Sequence, residues 1–351
     1  MASFQSTDFR QALIEVKAPA AKLNILEAKQ VEGIDFSESS VVVSLKVPDL
    51  NPLIEKSLRY QVEAAIKKMD PRFSVSVEFI EATSQKNPRI GALIAVGSGK
   101  GGVGKSSVTV NLAVAFQKMG YKVGILDCDI YGPSIPTMMG VEAQKPMMLN
   151  GKIQPVEAHG MKIISAGFFV EPGQSLVWRG PMIHKLIHQF YFDVAWDGID
   201  VLLVDLPPGT GDAPLSLSQT MPLTGAIMVS MPQKVSLIDV HKGISMFNQV
   251  KVPILGVLEN MSHYECAACH HREEIFDHGR VRKFCDELGV AFLGDIPIDP
   301  MIRARCDEGI PFMADFPDSR AGKAISQIAT RLQPFLRTSD ELDGDALKIV
   351  V

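Results

Sequence analysis

The sequence has little of the features that mark membrane, secreted or nucleic-acid-binding proteins. Its apolar runs fall well short of the roughly 20 residues that cross a bilayer. The Met1–Ser6 segment lacks the basic-then-apolar pattern of a secretion signal. The formal net charge of −5 disfavours a surface that binds nucleic acid. We therefore expect a cytoplasmic protein with no membrane partner and no nucleic-acid partner.

Cysteine and aromatic residues are also sparse. Five cysteines in 351 residues, an odd number, do not suggest a disulfide framework, so reduced thiols and metal chemistry are the better expectation. Aromatic residues make up 7% of the chain and hydrophobic residues 46%, which favours a sheet core of aliphatic side chains and methionine. A chain of this length can bury one large α/β domain and a smaller one.

A glycine-rich segment at residues 97–107 is the most informative part of the chain. It reads Gly-Ser-Gly-Lys-Gly-Gly-Val-Gly-Lys-Ser-Ser and fits the phosphate-loop pattern G-x4-G-K-[ST] through Gly99, Gly104, Lys105 and Ser106. A strand-like apolar run precedes the segment and a helical pattern follows it. This context makes a phosphate-binding loop a much better interpretation than an ordinary glycine-rich turn.

Each part of this loop suits the binding of ATP. Small residues let consecutive backbone N–H groups surround phosphate oxygens at a helix N-terminus. Lys105, predicted to be catalytic, supplies positive charge for the β- and γ-phosphates, and the Ser106 hydroxyl suits Mg2+. The nucleotide-binding residues predicted in the loop are Gly99, Lys100, Gly101, Gly102, Val103, Gly104, Lys105, Ser106 and Ser107.

Lys100 adds a second lysine to the loop. A lysine at this position points away from the γ-phosphate of its own nucleotide or across to that of a neighbour. The segment resembles the deviant phosphate-loop ATPases, which include the Min and Par ATPases, the nitrogenase iron protein and the Mrp/ApbC cluster carriers. The resemblance implies a homodimer in which Lys100 is catalytic and reaches the ATP of the partner. The alternative is a solvated lysine at the tip of a loop.

The pattern of residues 1–82 predicts a small α+β domain. A helix is expected near Asp8–Glu15, a strand at 41–47, a helix at 52–69 and an alternating strand at 73–79. This region is weakly similar to the N-terminal domain of many Mrp-type proteins. It contains no cysteine, so we assign it no metal site.

The polar segment 83–88, which ends in a proline, is predicted to be a linker, and residues 89–337 to be an ATPase domain. Near-continuous apolar runs in this domain alternate with helical patterns, which predicts a doubly wound, mostly parallel sheet, the fold of P-loop NTPases. The candidate strands are 91–96, 122–127, 162–166, 201–205, 225–230, 254–258 and 291–294. Residues 338–351 form a tail that the pattern does not place.

Carboxylates follow two of these strands. Asp205 ends one strand and is predicted to join Ser106 in the Mg2+ site. Asp129 lies two residues past another strand and is predicted to be a catalytic residue that orients or polarises the attacking water. The loops after both acids are rich in glycine and proline, so they can change shape when the γ-phosphate leaves.

Two further residues are predicted to contact the nucleotide. The amide of Asn260, just after a strand, can pair with an adenine edge. In the deviant phosphate-loop ATPases an asparagine at this place contacts the base. Pro297 is the second candidate. A turn position is the alternative for both residues.

Cys266 and Cys269 have the spacing of two thiolates on one metal or cluster. A zinc or cluster site needs about four ligands, and the sequence has no second such pair. Two chains related by a twofold axis would supply four thiolates, which agrees with the dimer inferred from Lys100.

Other chemistries for this cysteine pair are less favoured or stay open. The sequence Cys-Ala-Ala-Cys-His also matches a c-type haem attachment signature. Haem attachment requires export, and it is disfavoured because the sequence shows no secretion signal. A redox dithiol is disfavoured because the pair does not sit in a thioredoxin-like strand–helix entry. Zinc bound by the same thiolates, with His270 or His271, stays open.

Taken together, the motifs along residues 89–335 are similar to those of the Mrp/ApbC iron–sulfur cluster carrier proteins. The motifs are Gly-Lys-Gly-Gly-Val-Gly-Lys-Ser, Asp-Cys-Asp-Ile-Tyr-Gly-Pro-Ser, Trp178-Arg-Gly-Pro-Met182, Asp205-Leu-Pro-Pro-Gly-Thr-Gly-Asp212, and Glu-Asn-Met-Ser followed by the cysteine pair. One departure is the segment 275–280, which is Ile-Phe-Asp-His-Gly-Arg where the family often has a glycine-rich stretch.

This resemblance implies an ATP hydrolase that uses Mg2+, binds a [4Fe-4S] cluster at a homodimer interface and passes it from cluster donors to apo-proteins. Cys266 and Cys269 would then ligate the cluster. The ATPase residues carried over are Lys100, Lys105, Ser106, Asp129 and Asp205. The alternatives are a Min- or Par-type positioning ATPase and a zinc-binding P-loop ATPase. The net charge and the acidic tail oppose a positioning ATPase because a DNA-binding face or a membrane helix would be basic.

Overall fold

A computed structural model describes residues 4–19, 23–37, 39–47, 52–81, 88–169, 180–266, 268–277 and 279–339. The chain forms two compact units, residues 1–87 and 88–351. Most of the predicted linker at 83–88 and of the predicted tail at 338–351 lies outside the described residues, as do Trp178 and Arg179. The domain boundaries drawn from the sequence therefore stay predictions.

The N-terminal unit is a three-stranded sheet covered by helices. The strands are β1 (Val31–Phe36), β2 (Ser40–Val47) and β3 (Ser74–Glu81), and the helices are α1 (Ser6–Ala12) and α2 (Pro52–Met69). Strand β2 runs antiparallel to β1 and parallel to β3. Alternate residues of β2 are buried against the apolar faces of the helices, as the alternation in the sequence predicts.

Two details of this unit differ from the sequence prediction. The first helix ends at Ala12 and continues only as a 3-10 turn at Leu13–Glu15. Strand β1 is absent from the prediction. Its residues are mostly half-buried or exposed, and its pairing with β2 shifts register near Gly33, so it lacks a clean apolar alternation.

The second unit holds the central sheet. Its strands are β4 (Ile90–Ser98), β5 (Val123–Asp127), β6 (Met147–Leu149), β7 (Lys152–Gln154), β8 (Val156–Ala158), β9 (Met161–Ser165), β10 (Ile199–Asp205), β11 (Gly225–Ser230), β12 (Ile254–Glu265), β13 (Arg272–Glu273) and β14 (Phe292–Ile298). Its helices are α3 (Lys105–Lys118), α4 (Ile135–Met138), α5 (Gly180–Phe192), α6 (Asp212–Thr220), α7 (Lys234–Gln249), α8 (Arg280–Leu288), α9 (Pro300–Asp307), α10 (Phe312–Asp315) and α11 (Arg320–Leu332).

The order of strands across this sheet is β14-β12-β11-β4-β10-β5-β9-β8, and β13 pairs with the last residues of β12. The strands from β14 to β9 in this order are parallel, and they correspond to the seven strands predicted from the sequence. The antiparallel strands β8 and β13 were not predicted. The mostly parallel α/β fold is confirmed.

Buried apolar side chains cover both faces of the sheet. One cluster joins α3 and α11 to the sheet and includes Leu112, Phe116 and Ile325. The other lies on the opposite side and includes Trp196 and Phe247. Strand β4 is central, and its neighbours β10 and β11 lead to the two halves of the sheet, so the chain order reverses beside its carboxyl end. Such a switch point is where this kind of fold binds ligands.

The last described residue of the chain contacts the central sheet. Ser339, in the predicted tail, donates from its backbone N–H and its hydroxyl to the buried Asp200 carboxylate at 2.7 and 2.9 Å.

Among the helices in the described ranges, none combines the length and apolarity needed to cross a bilayer.

Candidate nucleotide and thiolate sites

The predicted phosphate loop connects β4 to α3 at the carboxyl edge of the sheet. Gly102 and Gly104 have φ angles of +79° and +83°, in the left-handed region that other residues rarely adopt. Gly104 is the residue before the first turn of α3. The loop therefore turns sharply directly before a helix N-terminus, as the motif predicts.

Close packing also determines which positions of this loop have room for a side chain. A Cβ atom on Gly99 would lie 2.4 Å from the backbone carbon of Asp239, and one on Gly104 would lie 2.3 Å from Nδ2 of Asn260. Gly101 has no atom within 4 Å of such a Cβ. The glycines at the two ends of the loop are thus required by packing, whereas the tip is open.

The carboxylate of Asp205 is the centre of a buried polar cluster under the loop. Lys105 Nζ and the Ser106 hydroxyl both donate to Oδ2 of Asp205 at 2.6 Å, and the Thr109 hydroxyl donates to Oδ1 at 2.7 Å. Lys105 is only 6% exposed and Asp205 is fully buried. Thr109 was not anticipated, although its position four residues after Lys105 on α3 places it on the same helix face.

A second buried carboxylate lies beside Asp205. Asp127, at the end of β5, is directly paired in register with Asp205 on β10 and with Ser165 on β9. It accepts hydrogen bonds from the Ser165 hydroxyl at 2.7 Å and from the backbone N–H of Asp129 at 3.0 Å. Burial, and then the negative charge of Asp205, raise the pKa of Asp127 to about 7. Asp127 and Ser165 received no role from the sequence, which does not reveal strand register.

Asp129 lies two residues past β5, as predicted, and faces the phosphate loop. Its Oδ1 accepts from the backbone N–H of Gly132 at 3.2 Å. Burial raises the pKa of this carboxyl, while the positive charge of Lys105 opposes the rise. Asp129 lines the same cavity as Lys105 and Ser106, so these side chains face one space.

Two adjoining cavities meet at the loop. The smaller, of about 250 Å3, is lined by loop residues together with Asp129 and Pro208. The larger, of about 500 Å3, is lined mostly by apolar side chains, among them Met261 of β12, Ile296 of β14 and Ile302 of α9. Gly104, Ser107 and Met138 border both. A polar cavity for phosphates next to an apolar cavity for a base is the arrangement that a nucleotide needs.

Asn260 and Pro297 both line the larger cavity. They lie within β12 and β14, so the alternative of turn positions is wrong. Nδ2 of Asn260 donates to the backbone carbonyl of Val103 in the phosphate loop at 2.8 Å. The amide thus connects the loop to β12 while it faces the cavity.

Lys100 is held within its own chain. Its Nζ donates to Oε1 of Gln233 at 3.2 Å, and Gln233 is the residue before α7. The alternative of a freely solvated lysine does not describe this conformation.

The cysteine pair lies on a hairpin beyond the nucleotide cavities. Strand β12 ends at Glu265, and β13 returns antiparallel to it with Glu265 opposite Arg272. The backbone N–H of Cys266 donates to the carbonyl of His271 at 3.0 Å, and that of His270 donates to the carbonyl of Cys266 at 2.9 Å. Cys266 is half-buried and Cys269 is exposed, so both thiols are accessible.

The turn favours a thiolate at its first cysteine. Hydrogen bonds from the backbone N–H groups of Cys269 and Ala268, and from the Cys269 thiol, lower the pKa of Cys266. Burial instead raises the pKa of the three remaining thiols, which belong to Cys128, Cys285 and Cys306. The described part of the chain contains no cluster of three or more His, Cys, Asp or Glu side chains that could hold a metal, so the hairpin offers two thiolates.

Known families match both units of the chain. The model of the NUBPL iron-transfer P-loop NTPase family matches residues 89–333, and that of the iron-sulfur cluster assembly protein family matches residues 7–79. The first match covers more than half of the chain.

The chain belongs to the iron-transfer P-loop NTPase family.

Full-length relatives agree with this family. The iron-sulfur cluster carrier protein of Aquifex aeolicus is 39% identical, with 91% of this chain and 90% of the relative covered. That of Escherichia coli is 38% identical, with 91% and 89% covered. The resemblance to cluster carriers drawn from the motifs is thereby confirmed.

A solved structure of a similar protein contains a nucleotide. It is the nucleotide-binding protein from Archaeoglobus fulgidus in complex with ADP, which is 39% identical with a TM-score of 0.58, covering 66% of this chain and 95% of that one. The family and this neighbour support nucleotide binding by the P-loop unit. The roles of individual site residues stay predictions.

Proposed function

We propose that the protein is an ATP-dependent iron–sulfur cluster carrier. In this proposal two copies of the chain hold one [4Fe-4S] cluster between their cysteine hairpins and deliver it to apo-proteins. The observation that carries the proposal is that one strand, β12, supplies Asn260 to the nucleotide cavity and leads directly into the Cys266–Cys269 hairpin. The membership of the iron-transfer family and the names of the cluster-carrier relatives support it.

The residues at the phosphate loop fit ATP with Mg2+. The two adjoining cavities suit phosphates and a base, and the Ser106 hydroxyl and the Asp205 carboxylate are the hard oxygen ligands that Mg2+ prefers. Bound there, Mg2+ would neutralise charge on the β- and γ-phosphates. In this structure the ammonium group of Lys105 donates to Asp205. When ATP is bound, it would contact those phosphates instead.

Hydrolysis in this site is an attack of water on the γ-phosphorus as the bond to the β–γ bridging oxygen breaks, which releases ADP and phosphate. We assign Asp129 to orient and polarise the water because its carboxylate faces the phosphate cavity and Gly132 fixes its direction. We assign Lys100 to the transition-state charge on the partner's nucleotide. This role requires Lys100 to leave Gln233.

The cluster is the cargo of the protein. Cys266 and Cys269 supply two thiolates per chain, and a [4Fe-4S] cluster takes four. A homodimer related by a twofold axis satisfies that number without any further ligand. Cluster donors and apo-protein acceptors are therefore the proposed partners, and the cytoplasm, expected from the sequence, is the proposed location.

Anaerobic reconstitution with iron and sulfide tests the assignment of the thiolates. We expect the parent to bind about four iron and four sulfide per two chains, and Cys266→Ala and Cys269→Ala to lose nearly all of it. Cys285→Ala, which removes a buried thiol of the same unit, is the matched control and retains the cluster. If Cys266→Ala binds as much cluster as the parent, the carrier assignment is wrong.

Two further measurements address the alternatives. Metal analysis of protein purified without oxygen distinguishes iron from zinc, and a zinc-only result would replace the cluster with a zinc site. ATP-dependent co-sedimentation with DNA or with anionic liposomes would favour a positioning ATPase of the Min or Par type, and we expect none.

A further inference from the structure

Glu265 lies immediately before the cysteine pair and connects the hairpin to a distant helix. One carboxylate oxygen, Oε1, is 3.1 Å from Nδ1 of His270, the residue after Cys269. The other, Oε2, pairs with the guanidinium of Arg320, the first residue of α11. A single side chain therefore spans the turn that carries both thiols and joins it to the body of the P-loop unit.

We propose that Glu265 is a positioning residue for the thiolate pair, which it holds in place by bridging His270 and Arg320. The inference rests on the proposed role of Cys266 and Cys269 as cluster ligands. It assigns no ligand role to Glu265 or to His270.

The backbone of His270 needs such support. Its φ angle is +58°, in the left-handed region that costs a non-glycine residue roughly 1 kcal/mol or more. The hydrogen bond from the His270 backbone N–H to Cys266 and the side-chain contact with Glu265 hold this conformation from two sides. Since His270 directly follows Cys269, a relaxed backbone at His270 would move the Cys269 thiol relative to Cys266.

Burial separates Glu265 from an ordinary surface carboxylate. The Glu265 side chain is 16% exposed, whereas those of His270 and Arg320 are 71% and 64% exposed. A carboxylate shielded from water is less screened, so its two contacts persist better than those of exposed pairs, which contribute little.

Helix α11 gives the bridge a fixed end. The Ser319 hydroxyl caps the helix by accepting from the backbone N–H of Gly322 at 3.0 Å, and Arg331 donates to the carbonyl of Leu293 on β14 at 2.6 Å. Ile325 packs in the same apolar cluster as α3, the helix that follows the phosphate loop. Arg320 is thus anchored through its helix to the core of the unit.

The test measures Co2+ binding to the full chain under anaerobic conditions. Thiolate-to-cobalt charge-transfer absorption reports the ligands directly, and competition with a chelator gives the affinity.

We expect Glu265→Ala to weaken Co2+ binding about tenfold and to alter the charge-transfer band, because supporting residues around a metal site commonly have effects of this size. Arg320→Ala should act in the same direction, and the double variant should be little worse than Glu265→Ala alone. Glu265→Gln, which keeps one acceptor oxygen for one of the two partners, should recover part of the affinity.

Glu287→Ala is the matched control, since Glu287 forms an exposed pair with Lys283 on α8, and it should bind Co2+ like the parent. Unchanged ATP affinity and unchanged tryptophan fluorescence show that each variant is folded. If Glu265→Ala binds Co2+ as Glu287→Ala does while Cys266→Ala loses binding, the bridge is not a positioning device and the carrier proposal stands. If His270→Ala weakens binding while Glu265→Ala and Arg320→Ala do not, His270 acts on the metal without the bridge and the inference is wrong. If Cys266→Ala itself keeps full Co2+ binding, the proposed function fails first.

Discussion

The nucleotide site and the cysteine hairpin belong to one compact unit but are built in opposite ways. At the phosphate loop, Lys105, Thr109 and Asp205 are buried and satisfy one another through hydrogen bonds of 2.6–2.7 Å. At the hairpin, two thiols are accessible at the end of a strand and have no third metal ligand among the described residues. The buried polar cluster of the first site is complete within one chain, whereas the second site offers two thiols per chain.

This contrast matches the chemistry of each ligand. Phosphate transfer needs fixed dipoles and charges in a site that excludes water. A cargo that is received and released needs accessible ligands and a small number of bonds per chain. We therefore expect substitutions at the phosphate loop to affect turnover and stability, and substitutions at the hairpin to affect metal binding alone.

Lys105→Gln is expected to have the largest effect and to distinguish the two sites, because it should change ATP hydrolysis and leave cluster binding unchanged. Loss of the ammonium group should lower the rate of ATP hydrolysis about 100-fold or more, because a charge aimed at the transferred phosphate is removed. Cluster content after reconstitution should match the parent. Lys118→Gln, on the exposed last turn of the same helix, is the control and should hydrolyse ATP normally. A Lys105→Gln protein that also lost its cluster would show that cluster loading depends on the phosphate loop.

Gly104→Ala tests how tightly the phosphate loop is packed. The new Cβ would occupy a left-handed backbone position and displace the Asn260 amide from Val103, so we expect the free energy of unfolding to fall by roughly 2–3 kcal/mol. Urea unfolding followed by tryptophan fluorescence measures it, since both tryptophans lie in residues 88–351. Gly101→Ala, where the same methyl meets open space, should change stability by a few tenths of a kcal/mol. Equal losses in the two variants would argue against packing as the cause.

Asp127→Asn tests the cost of placing two carboxylates together. The folded-state pKa of Asp127, about 7, is above its value of 3.8 in the unfolded chain, so the folded state binds more protons between these values. Stability should therefore fall as pH rises from about 4 to about 7 and then level off. The neutral amide removes this dependence, so the variant should exceed the parent by on the order of 4 kcal/mol at pH 8 and lose that advantage near pH 4.

This comparison uses nucleotide-free protein without magnesium, followed by the same urea unfolding across the pH range. Ser165→Ala, which removes a donor to the Asp127 carboxylate and leaves the charge in place, should keep the pH dependence. Parallel pH curves for the parent and Asp127→Asn would show that Asp127 ionises normally.

The smallest effect is expected from Asn260→Ala, at the junction of the two sites. Loss of the hydrogen bond to Val103 and of a contact to the base should weaken ATP binding by about 1 kcal/mol, or roughly fivefold. Equilibrium binding of a fluorescent ATP analogue measures it, with Asn248→Ala on the exposed end of α7 as the control. If Asn260→Ala loses more ATP affinity than Lys105→Gln does in the same binding assay, the base contact dominates nucleotide affinity.

Local patterns were enough to predict much of the fold. The buried parallel strands were predicted because apolar runs persist where both faces of a sheet are covered. The short antiparallel strands β8 and β13 and the irregular strand β1 were missed because two to six residues with mixed exposure carry little periodic signal. The 3-10 turn after α1 was missed for a similar reason, since a single turn does not change the spacing of apolar residues.

The site was predicted only where its residues are close in the chain. The phosphate loop, the strand-end acids and the cysteine pair each form a short motif with its own chemistry. Gln233, Ser165 and Arg320 lie far from the groups they contact, and no spacing rule connects them. Thr109 was within reach, because an i,i+4 relation to Lys105 is visible in a helical pattern.

The sequence by itself determined the phosphate-binding chemistry, the thiolate spacing and the parallel character of the sheet, because these depend on residue type and short-range order. Tertiary structure alone decided that Asp127 lies against Asp205, that Lys100 is held by Gln233, and that Glu265 joins the hairpin to α11. The physical reason is that strand register and helix packing bring together side chains whose separation along the chain carries no information about their separation in space.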